Sequence, residues 1–317
     1  MNQTNQTSGP TVLVTGGCGF VGSNLVARLV SEHPGADLFV IDDFRSSSFA
    51  NLVEACDRAS VGPFTGTVHG WSTNEIDWEE VIDAISPDAV FHLAAITDTT
   101  VMDERIMLEG NVEGFRDIMI ATAGREIPLV YASSAATYGT PPQTGARVPF
   151  PVDAAGRPNN IYGFSKWLME CEHRRFAREW EQQSGTTPHI VGLRYFNVFG
   201  PGEARKGKMA SIAYQLAQQM LAGKRPRLFA DGSQARDQVH VDDVVSCTIA
   251  GSMHGARPGV YNLGSGHVTS FADVAAAVRE GMGLSGSDFP IDYFEMPEHI
   301  RAFYQDFTQA DMSLTQD

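Results

Sequence analysis

Tyr162 and Lys166, in the stretch Tyr-Gly-Phe-Ser-Lys, stand four residues apart, the spacing that puts two side chains on one face of a helix. A phenol ordinarily loses its proton near pH ~10, and a cation beside it favours the phenolate. The pair therefore predicts a tyrosine able to act as acid or base near neutral pH. Exposed helices carry such pairs by chance, so the company of this one matters. A Ser133-Ser134 pair ends an apolar run upstream, and a glycine-rich turn lies near the start of the chain.

That turn is Gly16-x-x-Gly19-Phe20-Val21-Gly22, after the β-branched run Thr11–Thr15 and before an amphipathic stretch. Strand, glycine turn and helix are the context for a pyrophosphate: small residues let the backbone approach, and the helix N-terminus supplies N–H donors and partial positive charge. Asp42 falls twenty residues past Gly22, at the end of the second apolar run, where an acid accepts both hydroxyls of an adenosine ribose. The spacing resembles the glycine loop of extended short-chain dehydrogenases/reductases. Asp42 followed by Asp43 repels a 2′-phosphate, which favours NAD over NADP; Arg45 pulls the other way, since a guanidinium pairs phosphates. Phe20 and Val21 between the glycines, and Ala94 after the fourth strand, are counted with the cofactor contacts.

The elements that must hold these residues alternate along the chain. Strands are expected at Thr11–Thr15, Asp37–Ile41, Thr67–His69, Ala89–Leu93, Leu129–Ser133 and Ile190–Arg194. Helices are expected from the glycine turn to about Val30, over Asp77–Ile85, as one long element over Val101–Ala123, and over Tyr162–Gln183. Such alternation predicts an α/β fold, a Rossmann-type doubly wound parallel sheet covered on both faces. After Asn197 the rhythm changes: a helix over Met209–Leu221, short strands at Arg227–Phe229 and Gln238–Val241, a helix over Asp242–Ala250, a strand at Val260–Leu263, and a helix opened by Ser270 with Asp273 three residues on. We expect a polar tail over 1–10, a dinucleotide-binding domain from 11–195 plus 238–265, and a smaller α/β substrate-binding lobe from 196–237 plus 266–317.

Composition narrows the partners. The 317 residues carry 23 Lys and Arg against 38 Asp and Glu, a formal charge of −15, so nucleic acid and anionic membrane are disfavoured as partners. Cys18, Cys56, Cys171 and Cys247 are scattered without a C-x-x-C, which points to reduced thiols and no metal site. The tail Met1–Pro10 lacks an apolar core, so no signal peptide is expected, and no apolar run approaches the ~20 residues of a membrane span. The expectation is a cytoplasmic protein.

In the short-chain dehydrogenase/reductase superfamily, the resemblance implies that Ser134 hydrogen-bonds the reacting oxygen and the tyrosine hydroxyl. Tyr162 then moves the hydroxyl proton while hydride passes to or from a nicotinamide. Lys166 binds the nicotinamide ribose and holds the phenol's pKa down. The nucleotide-sugar 4,6-dehydratases place Asp-Glu just past that serine; Ala135-Ala136 stand here, so dehydration is disfavoured, while epimerisation and simple dehydrogenation remain.

Longer stretches resemble the ADP-L-glycero-D-manno-heptose 6-epimerases: Tyr131–Gly139, Tyr162–Lys166, Arg194–Pro201, Lys206–Ser211 and Phe307-Thr-Gln-Ala-Asp311, together spanning about Thr11 to Asp311. The resemblance implies a nucleotide-sugar substrate, transient oxidation at C6″, and a second acid/base, Lys206, opposite Tyr162. Lys206 would need a lowered pKa, from burial or from neighbours such as Arg205 and Lys208; a basic loop that merely binds diphosphate is the alternative. Thr97 should line the sugar pocket, Asn197 should touch the sugar or diphosphate, Phe229 should lie near the base, and Arg236 should clamp phosphate. Arg301 and Tyr304 complete the expected substrate set, although Phe303 stands where the family places an arginine. Members commonly pair as homo-oligomers through a four-helix interface. They also continue a helix or two past the last motif, so truncation or an absent disordered tail is expected at Asp317. A UDP-hexose 4-epimerase, a sugar dehydrogenase and a non-catalytic dinucleotide-binding scaffold remain the alternatives.

Overall fold

The computed structural model describes residues 9–140, 147–298 and 304–316; the first eight residues of the tail, part of the Gly139–Pro158 loop, and Arg301 lie outside them. The chain opens with β1 (Thr11–Thr15), α1 (Phe20–Glu32), β2 (Asp37–Ile41), α2 (Phe49–Ala59), β3 (Thr67–His69) and α3 (Trp78–Ile85). It continues through β4 (Ala89–His92), α4 (Glu104–Asn111), α5 (Phe115–Ala123), β5 (Leu129–Ser134), α6 (Ile161–Ser184) and β6 (Ile190–Tyr195). Then follow β7 (Asn197–Phe199), α7 (Ile212–Leu221), β8 (Arg227–Phe229), β9 (Ala235–His240), α8 (Val241–Ala250), β10 (Gly259–Leu263), β11 (Val268–Ser270), α9 (Phe271–Gly281) and β12 (Asp292–Phe294).

Seven strands form one parallel sheet in the order β10-β6-β5-β4-β1-β2-β3, with β1 pairing β2 on one side and β4 on the other. This is the expected doubly wound architecture, and the order reverses beside β1, where the glycine turn leaves the sheet. Period-two alternation divides the core: Val12 and Val14 face α1 and α8 through Leu25, Val26 and Val244, whereas Leu13, Val90 and Tyr131 face α3, α5 and α6 through Ile82, Ile118 and Met169. Outside this sheet, β7, β9 and β11 form a three-stranded sheet and β8 pairs with β12. Among the described residues, no helix is long and apolar enough to cross a membrane.

Four local expectations are corrected. The single helix over Val101–Ala123 is two, broken at Gly114, whose φ of 77° is left-handed and whose Cβ position lies 2.8 Å from Thr73 O. Only glycine fits that approach, and it ends the helical run. The helix α2 was not anticipated; Ser48 caps it by accepting from Ala50 N at 3.3 Å. The helix expected from Met209 starts at Ile212, because Glu203–Met209 winds as tight 3-10 turns interrupted at Gly207. The strand expected at Gln238–Val241 begins earlier, at Ala235, where it pairs with β11.

Candidate active site

The dinucleotide loop is shaped by contacts that admit no side chain. Gly16, at φ 69°, donates its N–H to Ile41 O at 2.7 Å, and a Cβ there would lie 2.7 Å from Ala94 N. A Cβ on Gly22 would lie 2.1 Å from Gly16 O, so the loop closes directly onto the first turn of α1. Gly19 occupies the N-cap with no side chain to satisfy the helix, leaving the leading N–H groups of Phe20, Val21 and Gly22 for an anion. Asp42 braces the loop from beside it, accepting from Cys18 N at 2.9 Å, Phe44 N at 3.0 Å and Ser47 Oγ at 2.5 Å. Asp43 is taken up by Arg45, whose N–H donates at 2.9 Å and whose Nη2 lies 3.3 Å from its carboxylate. A side-chain-free cradle, open helix donors and an acid after β2 fit the pyrophosphate and adenosine of a dinucleotide.

Beneath the loop, Thr15 Oγ1 accepts from Ala94 N at 3.1 Å and lies 3.0 Å from His92 Nδ1. His92 is buried, and that burial, reinforced by the charge of Lys166, pushes its pKa down to about 3. The imidazole is therefore a neutral linker at physiological pH.

Ser134 ends β5, and α6 begins against the turn that follows it: a Cβ on Gly163 would lie 2.5 Å from Ala136 O, and Asn160 caps the helix by accepting from Gly163 N at 2.8 Å. This close approach brings the Tyr162 phenol beside the Ser134 hydroxyl. Desolvation raises the phenol's pKa above its ordinary value, and the Ser134 hydroxyl draws it back in part. Lys166 does not lower it, contrary to expectation. Its ammonium is turned inward, 2% exposed, donating to Ala132 O at 2.9 Å, and burial lowers its own pKa to about 8.

Two features of this corner escaped the sequence. Asn111, buried at the end of α4, accepts from Ile96 N at 2.6 Å and donates to Ile96 O at 3.1 Å and Ser165 Oγ at 2.9 Å, while Ser165 Oγ donates to Tyr162 O at 2.7 Å. It ties the 94–100 loop to the catalytic helix. Its signal was a poor helix former between Gly110 and Gly114 in an otherwise helical pattern. The second is the buried pair of Glu170 and Arg194, joined at 2.8 and 2.7 Å, which also receives Ser133 Oγ at 2.6 Å and reaches Tyr138 OH at 2.7 Å. It locks the end of β5 to α6 and β6; no local pattern announces a pair 24 residues apart.

Lys206 lies in the 3-10 segment, its ammonium 5.1 Å from the centre of the Phe20 ring at the start of α1. Burial lowers its pKa and Glu203 opposes that shift. Arg205 plays no part in the lowering: it turns away to Glu54, at 2.7 Å for each of two contacts. Thr97 is exposed on a loop whose Thr99 Oγ1 reaches Met209 Sδ at 3.7 Å.

The remaining substrate candidates divide between two places. Asn197 starts β7 and accepts from Thr308 Oγ1 at 3.1 Å, inside the Phe307–Asp311 motif. Phe229 and Arg236 meet at Tyr304, which lines a cleft: the Phe229 ring is 5.6 Å from Tyr304, and the Arg236 guanidinium is 5.4 Å from the centre of that same ring. Arg236 is 8% exposed, and burial lowers its pKa. The cleft encloses about 700 Å³, lined by Tyr304, Phe294, Tyr293 and Gln234 among others. A larger cavity of about 870 Å³ lies beside α6, lined by Trp167, Arg174 and Arg178, and no predicted site residue lines it.

A sheet of this order, with a side-chain-free loop after β1 and a Ser–Tyr–Lys set on β5 and α6, defines an extended short-chain dehydrogenase/reductase. The chain belongs to the NAD-dependent epimerase/dehydratase family, whose pattern matches residues 12–264. Among solved structures it is similar to the ADP-L-glycero-D-manno-heptose-6-epimerase of Helicobacter pylori, with 32% identity, TM-score 0.79, and 99% of this chain and 92% of that one covered. It is also similar to the UDP-glucose 4-epimerase of Thermotoga maritima, with 25% identity, TM-score 0.78 and coverage of 96% and 91%. The UDP-N-acetylglucosamine 4-epimerase of Methanobrevibacter ruminantium shares the fold at 24% identity, TM-score 0.80 and coverage of 97% and 91%.

Proposed function

We propose that this protein is a nucleotide-sugar epimerase that inverts C6″ of ADP-glycero-manno-heptose, with NAD as its bound cofactor. The observation that carries this reading is the presence of two proton-handling groups on separate elements, Tyr162 held by Ser134 on α6 and the desolvated Lys206 on the 3-10 segment. Bound NAD supplies a hydride acceptor and donor. The protein's own residues do the rest. Ser134 and Tyr162 bind the reacting oxygen, and Tyr162, whose phenolate the positive charge of bound NAD would favour against the desolvation that raises its pKa, takes the hydroxyl proton as C6″ becomes an aldehyde. The aldehyde carbon rotates, and Lys206 supplies a proton on the face opposite Tyr162. Lys166 orients the cofactor ribose, and Asp42 with Asp43 presents two carboxylates where NADP would carry a 2′-phosphate. Phe229, Arg236 and Tyr304 hold the nucleotide end, with Asn197 and Thr97 toward the sugar. On this reading the dinucleotide lobe comprises 11–195 and 238–265, and two copies pair through α4–α5 and α6.

The UDP-hexose 4-epimerase reading is favoured by one observation: the fold matches two UDP-sugar epimerases as well as it matches the heptose enzyme, at TM-scores of 0.80 and 0.78 against 0.79. Incubation with ADP-D-glycero-D-manno-heptose should yield the L,D isomer without net NADH. Turnover of UDP-glucose alone would remove the heptose assignment and keep the class. Stoichiometric NADH release would make the protein a dehydrogenase.

A further inference from the structure

The segment Gly200–Met209 does more than carry Lys206: it crosses the N-terminal end of α1 and runs beside α2. Pro201 O accepts from Asn24 Nδ2 at 2.9 Å, and Arg58 of α2 steadies Asn24 Oδ1 at 3.1 Å. Lys206 sits over Phe20, the first residue of α1. Arg205 reaches further, holding Glu54 through both guanidinium nitrogens at 2.7 Å and Asn51 Oδ1 at 3.1 Å. Asn51 is buried, and its Nδ2 donates to Cys18 O at 2.8 Å, so the chain of contacts ends inside the glycine loop. From within, Glu203 fixes the segment's shape, accepting from Gly200 N at 3.0 Å, Ser211 N at 2.6 Å and Ser211 Oγ at 3.0 Å.

We infer that Arg205 is a positioning residue, a latch that fastens this strap across the dinucleotide loop and slows release of NAD, while holding Lys206 beside the loop. The inference rests on the dinucleotide reading proposed above but not on the identity of the sugar. Its chemical logic is that an enzyme returning a hydride to the molecule it came from gains from keeping one cofactor through many turnovers. The strap is fastened mainly by an ion pair whose partners are both accessible to solvent, with side-chain exposures of 38% and 48%. Such a pair is screened by salt, so the latch carries an ionic-strength signature that simple packing lacks.

The test is the rate at which the full-length protein, loaded with NAD and free of sugar, releases it into excess unlabelled NAD. Arg205→Ala should release NAD roughly five-fold faster, the scale a bidentate exposed pair can supply. High salt should speed release from the native protein and leave the variant nearly unchanged. The charge exchange Arg205→Glu with Glu54→Arg should recover part of the loss. Native release rates in Arg205→Ala, or a faster release equally sensitive to salt, would overturn the latch while leaving the proposed activity standing. A native protein that takes up no NAD would overturn both.

Discussion

Lys166 offers a prediction in which stability and activity move in opposite directions. The ammonium is 2% exposed and its hydrogen bonds run to Ala132 O at 2.9 Å and, weakly, to Met169 Sδ at 3.8 Å. Burial lowers its pKa from 10.5 to about 8. The unfolded lysine keeps its proton up to the ordinary value, whereas the folded one releases it earlier. Between the two values the unfolded chain binds more protons, so stability contributed at this site rises with pH through that window and is lowest below it. At about 1.4 kcal/mol per unit, holding the charged group inside the folded protein costs roughly 3 kcal/mol at neutral pH. Lys166→Met removes the charge and leaves a similar volume, with about 1 kcal/mol returned for the hydrogen bond lost at Ala132. Urea unfolding of the cofactor-free proteins should therefore find the variant about 2 kcal/mol more stable at pH 7. The gap should close, and then reverse slightly, as pH rises from about 8 to 10.5. Epimerase activity should meanwhile collapse. Equal stabilities at pH 7, or a gap independent of pH, would refute the assignment of a desolvated charge at this position.

Other perturbations test other parts. Tyr162→Phe should lower turnover by about 10²–10⁴ through loss of the acid/base, with NAD binding by calorimetry unchanged; a near-native rate would dismiss Tyr162 from the chemistry. Gly22→Ala should abolish NAD binding and cost at least about 1–3 kcal/mol in a urea melt, since the new methyl meets Gly16 O. Arg194→Met should cost about 1–3 kcal/mol, since Glu170 loses its buried partner and keeps only Arg174 at 3.0 Å and the Ser133 hydroxyl, whereas Arg194→Met with Glu170→Leu should recover much of it; a single variant as stable as native would contradict the buried pair. Asp42→Ala should weaken NAD by roughly ten-fold, the scale of a charge-assisted hydrogen-bond pair, and should weaken NADP less, read as two titrations on the same preparation.

The parts of the site legible in the sequence are those whose geometry is set within one supersecondary unit. The glycine turn, α1, and Asp42 at the end of β2 follow from one βαβ period, and Tyr162 and Lys166 from one turn of helix. What local periodicity leaves open is where a long side chain ends once it is on the right face. Lys166 shares a face with Tyr162, yet its four-carbon stem carries the ammonium to a carbonyl of β5, a partner only the stacking of helix on sheet supplies. The same holds for Gly114, where the apolar periodicity runs on and the demand for glycine comes from Thr73 O, 41 positions away in sequence. The basic run Arg205-Lys206-Gly207-Lys208 is the sharpest case. As sequence it reads as one cationic patch in which each charge depresses its neighbours. In the fold, Arg205 pairs with Glu54, Lys208 adds its charge to the Thr100 hydrogen bonds that chiefly lower the Asp98 carboxyl's pKa, and Gly207 at φ 55° turns the chain between them. Lys206 is left half-buried against an aromatic ring, its pKa lowered by burial rather than by its neighbours. A lysine tuned by desolvation keeps its lowered pKa at high salt, whereas one tuned by adjacent cations would recover toward its ordinary value as they are screened. The pH profile of turnover measured at low and high ionic strength therefore separates the two: a basic limb that stays in place supports burial as the cause, and a limb that climbs with salt would return the role to Arg205 and Lys208.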